Sequence, residues 1–204
     1  MSGRPDRRRG PPRSNIVLGM LLLARGKAEG LDQFGYTVQA FLSSLAPLIA
    51  VPVVGYLLLA LRGGEPARAG GQLGALAELL GTICALLAPA VLSFELAKLW
   101  RRQALWLRYA TALNWSQWVI PLLASVLLLV GYPVLAAALP DRIALGLVGI
   151  AIGGYALWLH WFIARHGLSL SRLRAVALVV VVNVVTGVLV LGPRLLALGA
   201  GHAG

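Results

Sequence analysis

The sequence has little with which to do redox, metal or acid–base chemistry. Cys84 is the only cysteine in 204 residues, and it lies inside an apolar run. A single cysteine excludes an intrachain disulfide and any cysteine cluster for a metal. The three histidines (His160, His166 and His202) have no acidic or cysteine partner at ligand spacing. No Ser-His-Asp arrangement is legible, and no glycine loop of the Walker or Rossmann type. Acids are scarce, with seven Asp and Glu against eighteen Lys and Arg. Charged residues make up only 12% of the chain, too few to cover a soluble domain of this size.

Apolar residues fill the remainder, at 59% of the chain and a mean hydropathy of +0.82. They come in long runs, which points to an integral membrane protein. Five segments, roughly 36–61, 73–97, 113–139, 143–164 and 175–191, are near or above the ~17–25 residues that a crossing needs. Backbone groups in lipid must be satisfied internally, so the expected fold is all-α, a bundle of five transmembrane helices. The β-branched run AVALVVVVNVV (175–185) is no argument for a strand in that setting. Pro47, Pro52, Pro121 and Pro133 mark candidate breaks in the first and third spans. Residues 1–14, basic and rich in Pro and Gly, read as a disordered cytoplasmic arm. Residues 15–31 read as an amphipathic interfacial helix, because their apolar core is too short to span ~30 Å of hydrocarbon. No small-residue cleavage site follows, so a cleaved signal peptide is not expected. Residues 193–204 would form an external tail.

An excess of eleven positive charges in a soluble protein usually means nucleic acid. Here the cations sit between the apolar runs, so topology explains them and no nucleic acid is expected. With the N-terminus cytoplasmic, fourteen of the eighteen fall on the inner side. Only Arg62, Arg68, Arg142 and Arg194 fall outside, a strong positive-inside split. Five crossings then put the C-terminus outside. Sixteen of the eighteen are Arg, which with abundant Ala and Gly suggests a GC-rich bacterial genome and hence a bacterial inner membrane.

The stretch ATALNWSQWVIPLL (110–123) poses the main question of function. Asn114, Ser116 and Gln117 interleave with Trp115 and Trp118 where the third span enters from the cytoplasm. All six tryptophans (100, 106, 115, 118, 158 and 161) fall near that level, so a one-sided interfacial belt is one reading. The other is a cytoplasm-facing polar pocket. Asn114, Gln117 and Pro121 share a helix face, and His160 could meet them. Glu78 and Glu95, near opposite ends of the second span, read either as snorkelling interfacial acids or as ends of a proton or cation path. Glu95 is three residues before Lys98 and can pair with it. Asn183, the deepest strongly polar residue, should face another helix as interhelical glue. Gly149/Gly153 and Gly70/Gly74 offer small faces for close packing. The basic and aromatic stretch LWRRQALWLRY (99–109), with Arg101, Arg102 and Arg108, would lie on anionic lipid or dock a partner.

Three phrases carry a family resemblance: LLARGKAEGLDQFGYTVQAFLSSLAPLIAVP, ALNWSQWVIP and YALWLHWFIARHGLS. With the five closely spaced spans, they resemble the bacterial branch of the Yip1-domain membrane proteins over roughly residues 21–191. The resemblance implies a five-span bundle and supplies no catalytic residues. Eukaryotic members of that family are linked to Rab GTPases and vesicle traffic. The expectation is therefore a non-enzymatic multi-pass protein with a membrane-organising or scaffolding role. It would need no cofactor, contact lipid through a basic cytoplasmic face, and engage a membrane protein or a second copy of itself. A small transporter or channel subunit using the polar residues of the first three spans is the alternative.

Overall fold

A computed structural model describes residues 15–61 and 71–200, with the side chains of 15–50, 53, 54, 57 and 80–191. All regular structure among these residues is helical. The helices are α1 (Ile16–Ala24), α2 (Val38–Leu61), α3 (Gly71–Leu99), α4 (Trp106–Ser116), α5 (Val119–Val126), α6 (Tyr132–Ala136), α7 (Asp141–Gly167) and α8 (Arg172–Ala200). Short 3-10 turns at Ala28–Gln33 and Gln103–Leu105 precede α2 and α4. The basic arm at 1–14, residues 62–70 with Arg62, Arg68 and Gly70 of the Gly70/Gly74 pair, and the last four residues lie outside the described residues.

Four stretches are long and apolar enough to cross a membrane: Leu80–Leu99, Gln103–Ala136, Asp141–Gly167 and Arg172–Leu191. The α2 helix has 24 residues, but its described apolar stretch is the shorter Val38–Ala50. The outward halves of these helices carry exposed aliphatic side chains, including Leu129, Val134, Ile150 and Val188. Such a surface is compatible with hydrocarbon and, with the four long apolar helices, suggests a multi-pass membrane protein.

The prolines act differently in the two spans where breaks were expected. The α2 helix runs unbroken past Pro47 and Pro52. Neighbouring helices and local adjustments can re-satisfy the backbone groups that a membrane proline frees. The third span stays helical throughout but changes its hydrogen-bonding pattern twice, each time in the turn ahead of a proline. Pro121 has no N–H for the Gln117 carbonyl, which accepts instead from the Ile120 amide at 3.2 Å. This tightens the chain at 117–118 and separates α4 from α5. A π turn at Leu127–Gly131 leads into Pro133 at the start of α6.

Packing is concentrated at one end of the bundle. There α8 lies against both α3 and α7, while α4 contacts α1, α2, α3 and α7. The core joins Leu23, Leu31 and Phe34 to Tyr109, Leu113, Ile163 and Leu178. Asn15 caps α1 by accepting from the Leu18 amide at 3.0 Å. The chain leaves α1 through Gly26, at a φ of +71° that glycine tolerates. It then folds back so that Gly30 meets the Gly19 turn. A Cβ at Gly30 would lie 2.8 Å from the Gly19 carbonyl oxygen. The free face of α1 (Val17, Leu18 and Leu21) is apolar and exposed. The expected polar outer face of an amphipathic helix is therefore absent, because every residue of α1 is apolar or glycine.

Candidate functional site: a polar layer at the packed end

The α4 helix decides where the polar residues go. Tyr109 to Asn114 and Ser116 are all buried, so this segment is the hub of the packed end and not a surface strip. Several of the tryptophans take part in the same packing. Trp106 packs against Phe41 and Phe94 and donates its indole N–H to Ser93 Oγ at 3.1 Å. Trp100, Trp115 and Trp161 pack partly buried against the core, and Trp118 Nε1 is buried with no partner.

The α4 face expected to be polar divides into two places. Asn114, 5% exposed, donates to Ser44 Oγ of α2 at 3.0 Å. Ser44 in turn donates to the Phe41 carbonyl. Gln117, one turn later, turns instead into a cavity of about 220 Å³ among α3, α4, α5, α7 and α8. Ser116, His160, Asn183 and Thr186 share its lining with Gln117. Gln117 and His160 are thus brought together, Asn114 is not with them, and Asn183 joins from α8. Sequence spacing alone had no means of bringing α8 to this place.

Hydrogen bonds fix the back of this cavity. Asn183 Nδ2 donates to the Val179 carbonyl at 2.8 Å and approaches His160 Nδ1 at 3.3 Å. With the amide donating, Nδ1 accepts, so the proton of a neutral imidazole is on Nε2. Nε2 then donates to the Tyr109 hydroxyl, 2.9 Å away and fully buried. Asn183 is therefore an interhelical bond between α8 and α7, and His160 extends it to α4. Both ring nitrogens thus have a protein partner. No group of three or more His, Cys, Asp or Glu at metal-binding spacing occurs among the described residues. On the open side, Ser116 Oγ and Thr186 Oγ1 are buried without a partner. The lining contains no carboxylate, Lys or Arg. It can offer hydrogen bonds to a neutral solute, but it has nothing to offset an ion.

Glu95 does not line this cavity. Glu95 is exposed and pairs with Lys98 at 3.8 Å. Glu78 lies on α3, but its side chain is outside the described residues. Arg101 and Arg102 are exposed on the α3–α4 connection, Arg101 at a φ of +56°. Arg108 is already engaged: its guanidinium meets Asp32 at 2.8 Å and lies 5.7 Å from the Tyr36 ring centre. This contact, which sequence reasoning did not anticipate, ties α4 to the 3-10 turn after α1. Gly149 and Gly153 of α7 make no close contacts among the described residues, since a Cβ at either would meet nothing within 4 Å, whereas Gly167 at the end of α7 lies against Tyr109, where a Cβ would come within 3.1 Å of the Tyr109 Cβ.

Basic residues collect on the connections at this end. Arg25 and Lys27 follow α1, Lys98, Arg101 and Arg102 end α3, and Arg165, Arg172 and Arg174 flank the α7–α8 turn. Apart from Lys98 and Arg108, none of them has an ion pair among the described residues. No family model matches the chain, and no curated protein or solved structure is similar enough to count as a relative.

Proposed function

We propose that this chain is a non-enzymatic, multi-pass protein of a bacterial inner membrane, with a membrane-organising or scaffolding role of the Yip1-like kind. In this reading α2 supplies the first of five crossings, the N-terminus is cytoplasmic and the C-terminus external. The basic connections form the cytoplasmic face, where they meet anionic headgroups or a membrane-protein partner. The observation that carries the reading is the collection of unpaired cations on the connections of the packed end. Near an anionic surface each adds about 1 kcal/mol of attraction. The non-enzymatic part is supported by the polar layer, whose one histidine is held on both ring nitrogens.

Two experiments test this. Reporter fusions after Arg108 and after Arg174 should read cytoplasmic, and a fusion at the C-terminus external. A cytoplasmic C-terminus would overturn the five-crossing arrangement. Affinity purification of the tagged protein in mild detergent should recover a reproducible protein partner, lost when Arg101 and Arg102 are both changed to Gln. A lone protein with a stoichiometric small molecule would favour the second reading, a small transporter or channel subunit. One observation speaks for that alternative: the cavity of about 220 Å³ with the unpartnered hydroxyls of Ser116 and Thr186. Its lining carries no charge, so the solute would be neutral.

A further inference from the structure

We infer that the outer groove between α7 and α8 binds one anionic glycerophospholipid, its acyl chain along the α8 valines and its phosphate at the basic rim. The inference deepens the reading of a basic face on anionic lipid and rests on it. The groove has a volume of about 500 Å³, with Leu157, Trp158 and Trp161 on the α7 side and Val176, Val180 and Val184 on the α8 side. The three valines are four residues apart and so form one stripe along α8. Their β-branched side chains are stiff at χ1, so the wall loses little freedom when a chain lies on it. Asn183 also lines the groove, but its Nδ2 is engaged by Val179 and His160.

The aromatic wall is held in place from behind. Trp158 stacks on Phe162 with ring centres 5.6 Å apart and contacts Tyr155. Gly26 closes over its edge, where an added Cβ would lie 3.3 Å from the ring. Trp161 donates its N–H to the Arg172 carbonyl at 3.4 Å, and the Arg165 guanidinium sits 5.4 Å from its ring centre. These contacts bring cations to the groove from two sides. Arg165 and Arg172 stand at the α7–α8 end, and Arg25 and Lys27 flank the Gly26 that touches Trp158. None of the four has an ion pair among the described residues. Of the carboxylates on the turn after α1, Asp32 is committed to Arg108, and Glu29 is exposed two residues beyond Lys27.

Any lipid could lay a chain on the valines, so the rim sets the choice of headgroup. The guanidinium fork matches phosphate oxygens. A phosphatidylglycerol headgroup presents that phosphate with no cation of its own, whereas the choline of phosphatidylcholine would face Arg and Lys. The lipid selected is therefore anionic, with the groove supplying residence and the rim selectivity.

Native mass spectrometry of the full chain in detergent tests this, with phosphatidylglycerol and phosphatidylcholine of identical acyl chains in competition. One phosphatidylglycerol should be retained with a preference of about tenfold or more. Arg165→Gln should reduce that preference. Val180→Trp, at an exposed position that needs no repacking, should fill the groove and remove the retained lipid from a folded protein. Changing both Arg101 and Arg102 to Gln, on the α3–α4 connection, should leave it bound. If the lipid persists in Val180→Trp, or is lost as readily from the Arg101/Arg102 variant, the groove is not the site. The wider attraction of the basic face would survive that result, and adhesion to phosphatidylglycerol vesicles measures it separately. Equal retention of the two lipids by the unaltered chain overturns the groove assignment, and absence of vesicle adhesion as well overturns both.

Discussion

At the residue scale, the chain of contacts Tyr109–His160–Asn183 is the most consequential feature of the packed end. It links α4, α7 and α8 through the fully buried Tyr109 hydroxyl, which is stranded when His160 is removed, while Asn183 at the other end is exposed on the surface of the bundle. His160→Phe should therefore cost about 1–3 kcal/mol, because the Tyr109 hydroxyl and an Asn183 proton both lose a partner. Thermal unfolding in detergent measures this, and an unchanged midpoint would mean that water or lipid takes over the bonds. A double-mutant cycle with Tyr109→Phe should show coupling, as expected of groups in one network. The Arg108–Asp32 pair is a contrasting case. Its side chains are 31% and 61% exposed, so Asp32→Asn should cost under about 1 kcal/mol despite the 2.8 Å contact. Asn114, which the sequence groups with Gln117 on one helix face, instead bonds Ser44. A position on a helix wheel says which residues share a face, and it does not say which neighbour that face meets.

At the scale of elements, the glycines divide into two kinds that look alike in the sequence. Gly30 lies where a side chain would strike the Gly19 carbonyl and the side chains of Leu22 and Leu23. Gly30→Val should unseat the 3-10 turn from α1, seen as faster hydrogen exchange over residues 16–34 while the span helices stay protected. Gly149 and Gly153 open onto empty space, so changing both to Ala should not destabilise the isolated chain. Each exchange should favour the helix by up to about 1 kcal/mol. A loss of chemically cross-linked dimer in that variant, with the thermal midpoint preserved, would show that this face serves contact between copies. The prolines make a similar distinction. Pro121 and Pro133 shift the hydrogen-bonding pattern of their span without breaking it, while α2 continues as a regular α-helix past Pro47 and Pro52. Proline content marks where a break can occur, and packing decides whether it does.

At the scale of the whole molecule, the fold is asymmetric along its axis. Among the described side chains, the buried core and the basic connections share one end, while exposed aliphatic side chains continue away from it along α5, α6, α7 and α8. That asymmetry favours a protein that acts at one membrane face. If it does, replacing Arg25, Lys27, Arg172 and Arg174 together by Gln should weaken adhesion to phosphatidylglycerol vesicles by tens- to hundreds-fold at low salt, at about 1 kcal/mol per charge. Raising the ionic strength should weaken the parent protein in the same direction. Adhesion insensitive to both would remove the electrostatic basis of the proposed role.

By itself the sequence determined the helical class and four of the five expected stretches as long and apolar enough to cross a membrane. Long apolar runs admit helices as the single-chain solution in hydrocarbon, and local composition suffices to recognise them. The sequence also singled out Gln117, His160 and Asn183 as out of place, because a polar residue in an apolar run stands out without any structure. Only the tertiary structure decided that these three meet, that Asn114 does not join them, and that Arg108 is held by Asp32. Those outcomes depend on how helices far apart in the chain rotate against one another. That rotation follows from side-chain packing across several elements at once, which no single periodicity encodes.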